Sequence, residues 1–179
     1  MKALKIILGL GSLALAYTFL NSCAGIPDRV TAVQNFNKEK YLGKWYEIAR
    51  FDYRFEKDID NATAEYSINP DGSIKVFNKG FNFKKQKWDS ATGKAKFVGS
   101  DKEARLKVSF FGPFYAGYNV VDIDENYQNA LIYGSSTKYI WLLSRTKTMD
   151  ENTKKRFLDK AKKDGYDISK LVWVNQDKN

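Results

Sequence analysis

The stretch Gly43-Lys44-Trp45-Tyr46-Glu47-Ile48-Ala49-Arg50-Phe51 constrains the fold of this chain most. It opens on a glycine, free to turn tightly or to approach another backbone. It then runs without Pro or a second Gly through aromatic and aliphatic side chains, the composition of a strand. Two-residue alternation sets Trp45, Glu47, Ala49 and Phe51 on one face and Tyr46, Ile48 and Arg50 on the other. Both faces carry bulky groups, so the strand is expected to be covered on each side. Trp45, at its start, is placed to plug one end of a closed β-container.

The segments that follow have hairpin punctuation. Ala62–Ile68 alternates apolar and polar residues, and Asn69-Pro70-Asp71-Gly72 is a turn in which Pro fixes φ and Asp-Gly completes the geometry. Further strands are expected over Ser73–Lys79, Gly93–Val98, Ala104–Phe110, Tyr118–Asp124, Leu131–Gly134 and Tyr139–Arg145, with Asn82–Trp88 as a charged connection. Phe51–Glu56 is expected to form a loop after the first strand. Phe110-Phe111-Gly112-Pro113-Phe114-Tyr115 gathers four aromatics around a Gly-Pro turn, either lining the mouth of a cavity or serving as ordinary core and edge residues. Thr148 with Glu151 fits a capping box, Phe157, Leu158 and Ala161 share a helical stripe, and Gly165 stops that helix. Leu171–Val174 is a short last strand.

The amino terminus is a targeting segment. Met1–Lys5 is basic, and Ile6–Leu20 is an apolar run at the short limit for crossing a membrane. Leu20-Asn21-Ser22-Cys23 resembles a bacterial lipobox, which implies cleavage before Cys23 and a diacylated, N-acylated cysteine as first residue; three acyl chains hold a protein on a membrane far better than one. Residues 1–22 are then a lipoprotein signal peptide, 23–35 the lipidated amino terminus and tether, and 36–179 the folded domain, with Phe36 and Tyr41 over the closed end. Ala24 in place of Asp resembles an outer-membrane address, facing the periplasm.

Cys23 is the one cysteine and there is no histidine, which removes intramolecular disulfides, His- or Cys-based nucleophilic catalysis and soft-metal sites. The chain has 30 Lys and Arg against 21 Asp and Glu; loss of Lys2 and Lys5 leaves 28 against 21, a formal charge of +7. That charge favours anionic headgroups or simply solubility. Nucleic acid is not expected, because the chain carries an export signal and no binding motif. Glu47, sharing the face of Trp45, is either a buried acid that anchors a ligand or a satisfied structural group.

Taken together, Gly43-Lys44-Trp45 resembles the G-x-W signature of the lipocalins, and its extension to Phe51 is similar to bacterial lipocalins and apolipoprotein D. Asp124-Glu125-Asn126-Tyr127 matches the second lipocalin motif as D-x-x-Y, with Ile123 where that motif has Thr. Lys107–Tyr115 resembles a run in the bacterial outer-membrane lipocalins. The likeness covers about Asn35 to Val174. It implies an all-β fold: an eight-stranded antiparallel up-and-down β-barrel, one carboxy-terminal α-helix packed outside, and a short final strand. It further implies that Arg145 stacks on Trp45 and bonds to backbone at the closed end.

An eight-stranded barrel is wide enough for one small apolar ligand. Alternation points Ile74, Val76, Asn78, Leu106, Val108 and Phe110 inward, with Tyr118, Val120, Tyr133 and Trp141 from later strands. The resemblance implies a fatty acid or lysophospholipid as ligand, storage or transport of it for envelope maintenance under stress, no cofactor, no enzyme activity, and a homodimer in some members. The alternatives are a lipid-modifying enzyme and a structural envelope protein with a filled barrel.

Overall fold

The computed structural model describes residues 24–54 and 56–178. The expected signal peptide, residues 1–22, and Cys23 lie outside the described residues. The ordered elements are a short helix α1 (Lys38–Tyr41), strands β1 (Gly43–Phe51), β2 (Ile59–Ile68), β3 (Ile74–Asn82), β4 (Lys87–Phe97), β5 (Arg105–Phe111), β6 (Phe114–Ile123), β7 (Asn129–Tyr133) and β8 (Ile140–Ser144), helix α2 (Glu151–Lys163) and strand β9 (Leu171–Trp173).

Each strand from β1 to β8 pairs antiparallel with the next, and β1 also pairs with β8, which closes the sheet into a barrel. The β1–β2 pairing spans only Gly43–Tyr46 against Thr63–Tyr66. Above it the seam is filled from the carboxy terminus. β9 pairs with Ala49–Phe51, Gln176 Nε2 donates to Glu47 O (2.8 Å) and Ala62 O (2.9 Å), and Asn61 N donates to Asn175 O.

Two apolar clusters lie on opposite sides of the wall. The interior one joins Trp45, Tyr66, Ile74, Val76, Leu106, Val120, Ile132 and Leu143. The outer one joins Ile48, Ala49, Leu131, Tyr133, Ile140 and Leu142 to Phe157 and Ala161 of α2. Asp150 caps α2, its side chain accepting from Thr153 N, and Gly165 ends it at φ +88°. The cap is therefore Asp150 rather than Thr148, whose carbonyl instead accepts from Ser144 and Thr146.

Three expectations are corrected by register. In β1 a bulge between Glu47 and Ala49 breaks the alternation against β8. Trp45 and Glu47 face inward, Ile48 and Ala49 pack outside under α2, and Arg50 returns to the interior. Ala49 and Phe51 thus leave the face of Trp45, and Arg50 joins Glu47. Second, Tyr133 pairs with Ile140 while Ile132 pairs with Trp141. Neighbours across a ladder share a face, so an inward Trp141 forces Tyr133 out, where it donates to Asp164 of the helix turn (3.0 Å). Third, the connection is shorter than Asn82–Trp88, because Asn82 ends β3 and Lys87 and Trp88 belong to β4. Residues 83–86 make a tight turn, and β4 starts at Lys87, pairing with β3 from Lys87 to Ala95.

Residues 24–36 lie along the wall: Asn119 Nδ2 donates to Gly25 O (3.1 Å), Val33 N to Val120 O (2.9 Å) and Phe36 N to Lys102 O (2.9 Å).

Candidate functional site: the closed floor and the open calyx

At the closed end, Phe36, Tyr41 and Trp45 are buried and packed ring to ring, with centroids 5.3 and 4.9 Å apart. Trp45 Nε1 donates to Tyr41 O (2.8 Å). Beneath the indole lies Arg145, its guanidinium carbon 3.9 Å from the ring centroid. Arg145 donates to the carbonyls of Lys40, Lys44 and Leu42 at 2.8 Å, Tyr41 at 3.1 Å and Tyr127 at 3.3 Å. Gly43 is required there: its φ is +90°, and a Cβ would meet the Arg145 guanidinium at 3.4 Å. Asp124 accepts from the backbone N–H groups of Asn126, Gln128 and Asn129 to hold the β6–β7 turn, and Tyr127 Oη accepts from Asn37 N (2.8 Å). G-x-W, D-x-x-Y and the arginine thus converge on one floor.

Above the floor sit three tyrosines in series, with Tyr118 Oη 2.6 Å from Tyr41 Oη and 2.8 Å from Tyr66 Oη. Burial raises all three, Tyr66 to about 12, so they remain neutral hydrogen-bonding groups at physiological pH. Next comes a charged cluster that sequence reasoning found in only one member, Glu47. Arg50 Nη1 donates to Glu47 Oε1 (2.8 Å), and its Nη2 donates to Glu56 O (2.6 Å) and Ile59 O (3.0 Å). Trp141 Nε1 donates to Glu56 Oε2 (3.1 Å). Two carboxylates thus face one arginine, Glu47 buried with it and Glu56 partly exposed. Burial, then the Glu56 charge, pushes Glu47 up to about 8 against the pull of Arg50.

A carboxyl raised on folding keeps a proton that the unfolded chain has lost, so stability falls as pH rises between the two values. The ordinary glutamate value is 4.5, and Glu47 lies at about 8. Glu47→Gln is therefore expected to flatten the decline in urea-unfolding free energy across that window, gaining on the wild type as pH rises. Parallel curves would show that Glu47 is ionised in the folded protein throughout.

The predicted calyx residues divide by depth. Ile74, Val76, Leu106 and Val120 are fully buried in the lower fill. Asn78, Val108, Phe110, Tyr118 and Trp141 are half-exposed and line the upper interior. Ala91, which sequence reasoning missed, pairs with Asn78 and so faces inward, and it is exposed. Asn78 Oδ1 is a buried oxygen with no hydrogen-bond partner. The wall also parts near the mouth, because β4 and β5 pair only between Lys94–Phe97 and Leu106–Ser109. A groove of about 570 Å³ lies at that seam, bordered by Phe110, Gly112 and Tyr115 and, on the outer face of the wall, by Lys75, Thr92 and Lys94. Among the described residues no cluster of acidic or sulfur side chains could hold a metal ion.

A closed eight-stranded barrel with an arginine-braced tryptophan floor, an outer helix and an accessible upper interior defines a calyx protein built to enclose a small hydrophobic molecule. The chain belongs to the lipocalin family: residues 36–176 match the lipocalin-like domain. It is 50% identical over 150 residues to the outer membrane lipoprotein Blc of Citrobacter freundii, covering 84% of this chain and 85% of that one. The Vibrio cholerae outer membrane lipoprotein Blc is 45% identical over 165 residues, 92% of this chain and 96% of that one. Mouse apolipoprotein D is 33% identical over 153 residues, 80% and 78% of the two chains. In fold, the chain is similar to insecticyanin of Manduca sexta (TM-score 0.66, 21% identity, 84% and 86% covered) and lobster apocrustacyanin A1 (0.67, 18%, 87% and 92%).

Proposed function

We propose that this lipocalin is an acylated outer-membrane lipoprotein that carries one acyl chain, from a fatty acid or a lysophospholipid, for maintenance of the cell envelope under stress. The observation that carries the reading is the division of the interior. Its lower half is filled to the floor, while Asn78, Ala91, Val108, Phe110, Tyr118 and Trp141 leave an apolar, half-open upper chamber with a few polar groups. Such a chamber suits an acyl tail whose head stays near the rim. The names of the bacterial relatives, outer membrane lipoproteins, support the anchor at Cys23. Binding is favoured over catalysis, since Glu47, the buried acid, is engaged by the Arg50 guanidinium at 2.8 Å.

Native mass spectrometry of the protein purified from bacteria, with lipid extraction, tests the ligand, and the same spectrum reads whether the chain is a homodimer. One fatty acid or lysophospholipid per chain or per dimer is expected. A protein that is empty, and whose tryptophan fluorescence fails to respond to either lipid, would overturn the carrier reading in favour of a filled scaffold. Ala91→Trp fills the chamber from an exposed inward position. It is expected to weaken acyl-ligand binding at least about tenfold, about 1.4 kcal/mol, with little change in stability; unchanged affinity would place the ligand elsewhere.

A further inference from the structure

The mouth of the barrel carries an apolar surface that the calyx does not use. Residues 110–118 contain no charged side chain, and at the tip of the β5–β6 hairpin Phe111 and Phe114 are 72% and 79% exposed. Both flank Gly112-Pro113 and so project beyond the sheet. Of the eight large exposed apolar side chains among the described residues, five stand at this end: Tyr53, Phe83, Trp88, Phe111 and Phe114. Two of the others, Val172 and Trp173, lie on β9, and Ile68 lies at the closed end. The rings are bordered by exposed lysines on the other mouth loops, Lys57, Lys85 and Lys138, with Lys84 paired to Asp58 (3.1 Å).

The amino terminus leads to the same end. Gly25 is fixed against the wall beside Gly117, where an added Cβ would meet Gly25 O at 2.5 Å, and its carbonyl accepts from Asn119. Cys23, two residues earlier, can lie no more than about 7 Å from Gly25. Gly117 is three residues along β6 from Phe114, about 10 Å. An acyl group on Cys23 would therefore enter the bilayer beside the mouth.

We propose that the lipoprotein docks mouth-down on its own membrane, with Phe111 and Phe114 seated among the lipid acyl chains and the lysine ring on anionic headgroups. The occupant of this surface is the bilayer that holds the anchor. Exposed rings take up position at a membrane interface when a second attachment keeps them there, and lysines near the surface add attraction to anionic lipid. Docked in this way, the calyx opens onto the lipid, so an acyl chain can pass between membrane and barrel without crossing water.

The proposal rests on acylation at Cys23, which intact-mass measurement checks first. Acylation also blocks the one native thiol, so an engineered cysteine can be labelled alone. Gly112→Cys at the mouth, where an added Cβ meets nothing within 4 Å, and Glu125→Cys at the closed end each carry an environment-sensitive NBD fluorophore. The acylated proteins are placed in phosphatidylethanolamine–phosphatidylglycerol vesicles. The label at 112 is expected to brighten, shift to the blue and be quenched by doxyl-labelled lipid, while the label at 125 stays water-like. Adding Phe111→Ser and Phe114→Ser is expected to return the 112 signal to the water-like state. Water-like emission from both positions, or a dry label at 125, overturns the proposal. So does a 112 signal that fades when protein is diluted in lipid, because a second copy then covers the rings. Ligand binding is read separately from tryptophan fluorescence, so failure of the docking and failure of the carrier reading are distinguishable.

Discussion

Arg145→Leu is expected to destabilise the protein by about 3–4 kcal/mol, lowering its melting temperature by about 10 °C. The guanidinium donates to five backbone carbonyls drawn from the start of β1, from α1 and from the β6–β7 turn, and stacks on Trp45. A cation over an indole contributes roughly 0.5–2 kcal/mol, and each carbonyl left without its donor adds to the loss. Half-exposure of the side chain lets water reach some of those carbonyls, which keeps the figure below the sum of the bonds. Arg145→Lys should recover less than half, since an ammonium cannot fork between carbonyls of three segments. The check is urea unfolding of the three proteins at one pH. A change within about 0.5 kcal/mol, the effect of an ordinary surface substitution, would show that the floor holds without its brace.

The contrast between Arg145 and Arg50 shows what a sequence of this kind discloses. The strands, their turns and the outer helix are written in local chemistry: alternation over Ala62–Ile68, Pro-Asp-Gly before β3, a glycine after α2. The stack of Arg145 on Trp45 and its backbone bonds at the closed end are what the resemblance to the lipocalins implies. Plain alternation sets Arg50 on the face opposite Trp45, and nothing local marks the bulge that turns it back in. Tyr133 failed for a related reason. Which residues face inward on two neighbouring strands depends on their register, and Ile132↔Trp141 is fixed by loop geometry and packing rather than by either strand alone. The first half of β4 escaped notice because Lys87–Thr92 forms an exposed arm paired only to β3, without the buried alternation that identifies a strand. Ala91 went unseen with it, although it is one of the residues that leave the chamber open.

The second large effect concerns that inward arginine. Arg50→Met is expected to cost about 3–5 kcal/mol at about pH 8, because removing one partner strands a buried charge. Glu47 loses the donor at 2.8 Å, and the carbonyls of Glu56 and Ile59 lose theirs. The cost should shrink toward about pH 5, where both carboxyls can keep protons and need no counter-charge. Burial already raises both carboxyls with the arginine present, the Glu56 charge adding to it at Glu47 and the Asp52 charge at Glu56; without the arginine both rise further, and the folded variant holds protons over a wider range. Its stability must then fall more steeply than that of the wild type as pH increases. Adding Glu47→Gln to Arg50→Met removes one stranded charge and should restore part of the loss at about pH 8 and little at about pH 5. Urea unfolding of wild type, single and double variants at the two pH values makes the comparison. An equal loss at both would mean that Arg50 serves through its carbonyl bonds and packing alone. A loss that grows with pH would mean that the interior beside the acyl chamber tolerates ionised carboxylates only because one arginine, turned inward by a bulge, stands between them.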